Sequence, residues 1–224
     1  MIELAVLDMA GTTVADDGLV ERAFTQAIAD IGVAQQPFML EHVRRTMGES
    51  KITVFRHLFD GDETLAQQAN QAFEHAYAER VADGECHPID GAEAAIRQLR
   101  DNGVKVALTT GFSETTQHQI LAALGWEDLA DLTLTPAQAG RGRPYPDMVL
   151  TALLRLGIDD VRAVATAGDT VYDVRSGLRA GASVVAGVLT GAHSRDALTG
   201  AGATHVLESV RDLPELLSAK EDQS

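Results

Sequence analysis

Positive charge is scarce in this chain: 18 Lys and Arg stand against 33 Asp and Glu among 224 residues, a formal charge of -15 with a pI near 4.7. Nucleic acid and anionic membrane surfaces need a basic footprint, so neither is an expected partner; a small anion remains possible where cations are concentrated locally. Cysteine is almost missing. Cys86 alone cannot close an internal disulfide and reads as a small packing residue. With no charged-then-apolar leader at the start, the expected address is a reducing cytoplasm. No stretch approaches the roughly 18 consecutive apolar residues of a membrane span, and there is neither an internal repeat nor a low-complexity segment. What the chain does have is 45% hydrophobic residues, enough to bury a full α/β core with room for an insertion, so a soluble globular protein is expected.

The stretch IELAVLDMAGTT, from Ile2 to Thr13, anchors the reading. Leu4 to Leu7 form an apolar run too short for a helix, ending abruptly at Asp8, Met9, Ala10 and Gly11, as a buried parallel strand ends in a turn. Ligands collect at such carboxyl ends, although an Asp there also serves as a plain turn cap. Helical periodicity then takes over from Leu19 to Ile31, again from Pro37 to near Gly48, a third time after a Ser50 N-cap, and a fourth from Asp62 through Val81. No strand interrupts these roughly 70 residues, an excursion long enough to be a small helical cap over residues 16–86.

Beyond Cys86 helix and strand alternate. Helices are expected at Ala92–Arg100, Glu114–Leu124, Asp147–Leu156 and Val171–Ala180, and strands at Val104–Thr109, Asp131–Thr135, Arg162–Ala167 and Ser183–Leu189. Short helical pieces at Ser194–Leu198 and Leu213–Leu217 flank a last strand at Thr204–Leu207, and the tail Lys220–Ser224 is expected to fray. This alternation predicts an α/β fold with a doubly wound, Rossmann-like parallel sheet, formed by residues 1–15 and 87–224.

Reactive residues stand at the strand ends: Asp8 after the first, Thr109-Thr110-Gly111 after the second, the basic loop Gly140-Arg141-Gly142-Arg143-Pro144 beyond the third, and Gly168-Asp169 with Asp173 after the fourth. Asp8, Asp169 and Asp173 are hard oxygen ligands suited to Mg²⁺, while Thr109, Arg143 and backbone amides suit a phosphoryl group. Singly, each has a plain alternative, whether an acidic helix start, a solvated loop arginine or an ordinary strand end.

In this order the four signals resemble the motifs of the haloacid-dehalogenase-like (HAD) hydrolases, and a helical cap after the first strand resembles their topology. The resemblance implies that Asp8 is a nucleophile forming an aspartyl phosphate, with Thr109 and Arg143 in the catalytic set and Mg²⁺ at Asp8, Ala10, Asp169 and Asp173. The usual second Asp, two residues after the nucleophile, is replaced by Ala10. An ester phosphatase without that general acid loses roughly 10²- to 10⁴-fold. The sequence D-x-A-G-T-T is similar to the phosphonoacetaldehyde hydrolase branch, whose M-G-x-x-K motif matches Met47-Gly48-Glu49-Ser50-Lys51 and whose T-T-G and G-R-P-x-P match Thr109–Gly111 and Gly142–Pro146. There the lysine forms a Schiff base with an aldehyde. The resemblance therefore implies that Lys51 is the imine-forming amine and that Thr12, Met47, Gly48, Thr110 and Gly111 contact the substrate.

The substitution of Ala10 is consistent with that chemistry. Breaking a C-P bond leaves a carbanion that a carboxylic acid cannot rescue, whereas an adjacent iminium delocalises it as an enamine. Lys51 must be neutral to attack an aldehyde, and a helix N-terminus disfavours its ammonium. Two positions depart from the branch: Val54 stands where it has His, and Phe112 where it has Tyr, with His57 one turn further on as either a substitute or a packed side chain. The partner is expected to be a small phosphonate or phosphorylated metabolite, and a homodimer is compatible. Three functions follow: a phosphonatase-like hydrolase, a Mg²⁺-dependent phosphatase of small phosphoesters, and a non-catalytic phosphate-ligand binding module.

Overall fold

The computed structural model describes residues 1–219, and the tail expected to fray at Lys220–Ser224 lies outside them. Six strands form one parallel sheet: β1 (Leu4–Asp8), β2 (Lys105–Thr109), β3 (Leu132–Leu134), β4 (Val164–Gly168), β5 (Val184–Val188) and β6 (His205–Leu207), in the order β3-β2-β1-β4-β5-β6. β1, β4 and β5 are buried throughout, which is why they read as near-continuous apolar runs. The chain winds outward from β1 to β3, returns to β4 on the other side of β1, and winds outward again. This puts the switch point between β1 and β4, the place where such sheets open a crevice.

Four helices follow β1 before any other strand: α1 (Leu19–Asp30), α2 (Pro37–Arg45), α3 (Lys51–Leu58) and α4 (Glu63–Ala82). The remaining helices are α5 (Ala92–Asp101), α6 (Glu114–Leu124), α7 (Pro136–Ala139), α8 (Asp147–Arg155), α9 (Val171–Ala180), α10 (Arg195–Gly200) and α11 (Leu213–Ala219). The pleat divides β1 between two cores. Ala5 and Leu7 face α5, α6 and α11, whereas Leu4 and Val6 face α8. The first core continues without a break into α1–α4. Its seam is aromatic: Phe24 stacks on Phe55 at 5.5 Å, Phe55 meets Phe73 at 6.2 Å, and Tyr77 lies 4.6 Å from Phe112 in the loop after β2. Six of the chain's ten aromatic side chains belong to this cluster. The single tryptophan, Trp126, is buried elsewhere and donates Nε1-H to Glu93 at 3.3 Å.

Three differences from the sequence expectations have physical causes. The strand expected from Arg162 begins at Val164, because Asp160 accepts from the Arg162 amide and pairs with its guanidinium, folding Val161–Ala163 into a 3-10 turn. The helix expected to run near Gly48 stops at Arg45, where the Thr46 hydroxyl donates to the His42 carbonyl at 2.8 Å. Helix α7 was not anticipated, although Pro136 at its first turn and the Thr135/Gln138 capping box encode it.

Phe55 is almost fully buried at the centre of the aromatic seam. Its replacement by Ala is expected to lower stability by about 3–5 kcal/mol, read from urea unfolding midpoints at unchanged m.

Candidate active site

A tight turn carries the chain from β1 across the top of the sheet. The Met9 carbonyl accepts amide bonds from Thr12, Thr13 and Val14, and Gly11 sits at φ 87°, where a Cβ would lie 2.6 Å from Asp169 Oδ2. Only glycine satisfies both demands. Parallel pairing sets Asp8 beside Thr109, and Asp169 follows β4 on the other side, so three separate strand ends deliver their polar residues to one place.

Asp8, Asp169 and Asp173 are all buried, with one oxygen of each within 4.8 Å of the others. Arg143, with a 4% exposed side chain, forms ion pairs with Asp8 and, through Nε at 2.9 Å, with Asp173, and donates a terminal N-H to Thr109 Oγ1 at 2.9 Å. The Thr109 hydroxyl donates in turn to the Leu7 carbonyl at 3.3 Å. Asp169 accepts from Thr12 Oγ1 at 3.4 Å and from the Ala192 amide at 2.7 Å, while Asp173 accepts from the Thr170 amide and hydroxyl. Three buried carboxylates thus share one buried guanidinium. Burial, with Asp173 and Asp169 adding repulsion against the pull of Arg143, raises the Asp8 pKa well above its ordinary value. For Asp169 burial and then Asp173 push it up to about 7. Such a surplus of hard anionic oxygen fits a divalent cation like Mg²⁺. Ala10 has only main-chain oxygen to offer it.

Lys51 is the first residue of α3, as expected, though Ser50 bonds Thr53 Oγ1 and makes no side-chain cap bond to the backbone. The lysine lines a narrow cavity of about 30 Å³ together with Asp8, Arg143, Asp169, Gly111 and Phe112, and its ammonium lies 5.4 Å from the Phe112 ring centre. Burial pulls the Lys51 pKa below its ordinary value, against the opposing fields of Asp16 and Asp8.

Of the candidate residues, Asp8, Ala10, Met47, Gly48, Lys51, Thr110, Gly111, Arg143 and Asp169 line this one cavity. Thr12, Thr109 and Asp173 stand behind it, their side chains engaged with Asp169, Arg143 and Thr170 respectively. The loop between α2 and α3 is pressed onto the start of α9 at glycine: a Cβ on Gly48 (φ 94°) would meet Thr170 Oγ1 at 2.5 Å. Val54 is buried in apolar surroundings, and His57 stacks on His42 at 4.4 Å, beside Arg45 and away from the Lys51 cavity. Sequence reading missed Glu49 and Thr170 in the cavity wall, and Asp16, whose charge reaches Lys51; only the acidic pair Asp16-Asp17 before the first helix signalled anything there. Cys86 is buried with its pKa raised to about 11, as befits a packing residue. Among the described residues no helix is long and apolar enough to cross a membrane.

Comparison with known proteins agrees with this geometry. The haloacid dehalogenase-like hydrolase family model matches residues 2–181, and the chain belongs to that family. It is 26% identical to a phosphonoacetaldehyde hydrolase of Lysinibacillus sphaericus, over 97% of this chain and 94% of the other. A phosphonoacetaldehyde hydrolase-like protein from Oleispira antarctica superposes with a TM-score of 0.83 at 25% identity, over 97% and 92% of the two chains. A predicted phosphoglycolate phosphatase from Haemophilus somnus shares the fold with a TM-score of 0.81 at 17% identity, over 96% and 98%.

The raised carboxylate pKa values set a sign for metal binding. A folded-state pKa above the unfolded value means that the folded protein holds extra protons on the acid side, and stability contributed there is lost as pH rises toward about 7 for Asp169. Mg²⁺ supplies the missing positive charge, so the melting-temperature increase it produces in chelator-treated protein is expected to be larger at pH 8 than at pH 5.5. Asp169→Asn should remove that increase, and an equal Mg²⁺ shift in the variant would exclude Asp169 from the metal set.

Proposed function

We propose that this protein is a phosphonatase-like hydrolase cleaving the C-P bond of phosphonoacetaldehyde or a related carbonyl phosphonate, with residues 16–86 acting as a cap on the hydrolase core. The observation that carries the reading is the meeting of Lys51 and Asp8 in one cavity that lacks a carboxyl at position 10. In the neutral form that burial favours, the Lys51 amine adds to the aldehyde and loses water to give a protonated imine. An Asp8 oxygen attacks phosphorus, the C-P bond breaks, and its electron pair passes into the enamine, with the iminium nitrogen as the sink. Water then releases phosphate from Asp8. Protonation of the enamine at carbon and hydrolysis of the imine return the aldehyde product and free Lys51.

Arg143 is the residue for the developing phosphoryl charge, since its guanidinium already bridges Asp8 and Asp173. Mg²⁺, held by Asp8, Asp169 and Asp173 with the main-chain oxygen of Ala10, would supply electrostatic stabilisation of phosphoryl oxygens when bound. Phe112 gives Lys51 an apolar neighbour, which keeps its amine poorly solvated.

One observation favours a second reading. Val54, buried among apolar side chains, offers no proton-transfer group where the phosphonatase pattern has His. A Mg²⁺-dependent phosphatase of small phosphoesters needs no such group beside Lys51.

Lys51→Arg separates the two. It keeps the charge and cannot form an imine, so C-P cleavage is expected to fall by about 10³-fold or more while acetyl phosphate hydrolysis changes little. Borohydride with phosphonoacetaldehyde should leave a reduced adduct on Lys51, found by peptide mass mapping. Absence of the adduct, together with near-normal phosphoester turnover by the Arg variant, would select the phosphatase. Because burial lowers the lysine pKa, wild-type C-P cleavage should rise with pH and level off below the pH at which an ordinary lysine titrates. Asp8→Asn should abolish turnover in either case, and Mg²⁺-dependent phosphate binding without any turnover by the wild type would mark a binding module.

A further inference from the structure

An outer cleft of about 920 Å³ adjoins the narrow cavity over Asp8, the walls of both including Lys51, Gly111, Phe112 and Arg143. Its far side is made by the loop that carries Arg143 and by the last turn of α9. There the half-exposed Tyr145 ring holds two guanidinium groups, Arg141 at 4.2 Å and Arg179 at 5.8 Å from its centre. The two cations are not equivalent. Arg141 gives its fork to Asp147 at 2.9 and 2.8 Å, and Arg56, also in the cleft wall, is likewise paired with Glu63. Arg179 donates a single N-H to the Pro144 carbonyl at 2.8 Å, and no carboxylate among the described residues pairs with it. Of the acids in the cleft wall, Glu74 accepts from Asn70 and Glu49 lies beside Tyr172.

In a chain of net charge -15, an uncompensated guanidinium held in place by a carbonyl and an aromatic face is an anion-recognition element. Its placement is specific. Pro144 directly follows Arg143, so Arg179 is anchored one residue further out on the loop whose guanidinium is buried against Asp8. We propose that the outer cleft is a tail subsite in which Arg179 binds a carboxylate, and that the substrate is a bifunctional acid with a phosphonate or phosphoester at one end and a carboxylate at the other. This rests on the reading that the phosphoryl end lies at Asp8. Phosphonoacetaldehyde fills the inner position alone and leaves Arg179 unused.

The test needs no turnover. Dissociation constants are measured by titration calorimetry in Mg²⁺ for ω-carboxyalkylphosphonates with two to six methylenes and for alkylphosphonates of equal length ending in methyl. The carboxylate is expected to tighten binding about fivefold to tenfold at the longer lengths, Arg179→Gln should bring the paired compounds within about twofold, and Arg179→Lys should restore part of the gap. Binding of inorganic phosphate should be the same in all three proteins, which reads the inner position separately. If simple alkylphosphonates bind and the carboxylate adds nothing at any length, or its advantage survives in Arg179→Gln, the tail subsite is overturned and the reading at Asp8 stands. If no phosphonate binds, both fall.

Discussion

The arrangement at the switch point depends on one imbalance of charge. Asp8, Asp169 and Asp173 are drawn from two strand ends and the first turn of a helix into a buried region, where Arg143 pairs with two of them. Placing like charges in a poorly polarisable interior is costly, and here it is sustained by the backbone that delivers them: parallel pairing of β1 with β2 and β4, the glycine turn at Gly11, and the Thr170 cap on α9. The guanidinium is in turn fixed by Thr109. Changing any one of these members alters the electrostatic surroundings of the others.

Lys51 reaches the same place from another direction. A divalent cation among the carboxylates would be held by hard oxygens, whereas an amine that is to stay neutral is helped by poor solvation. The fold separates the two demands by chain origin: acids come from the sheet edge, and Lys51 comes from a helix start that descends on the sheet from outside, with Phe112 beneath its ammonium. Close approaches of main chain at Gly48 and Gly111 bring these surfaces together. The inner cavity, about 30 Å³, is narrow beside the outer cleft of about 920 Å³.

Much of this was legible in the sequence because the relevant signals are local. Short apolar runs ending in Asp8, Thr109 and Gly168-Asp169 are strands wherever they are found, and alternation with amphipathic helices leaves few parallel topologies. Met47, Gly48 and Lys51, which reach the cavity, were marked by the resemblance to the M-G-x-x-K motif. What escaped is side-chain pairing that the apolar pattern does not encode. Asp160 stands only two residues before the Arg162 that it holds in a turn, nothing near His57 says that it stacks on His42, and the pairing of Arg141 with Asp147, which leaves Arg179 alone at the cleft rim, is a difference between two otherwise similar arginines.

The uneven distribution of aromatic side chains has an optical consequence. The phenylalanine-rich seam joining α1, α3 and α4 to the loop after β2 emits almost nothing in the near ultraviolet, whereas Trp126 sits under α5 with its indole tied to Glu93. Intrinsic tryptophan fluorescence therefore reports from the surroundings of α5, and no tryptophan reports from α1–α4. A direct spectroscopic view of those helices requires a reporter placed in the seam itself.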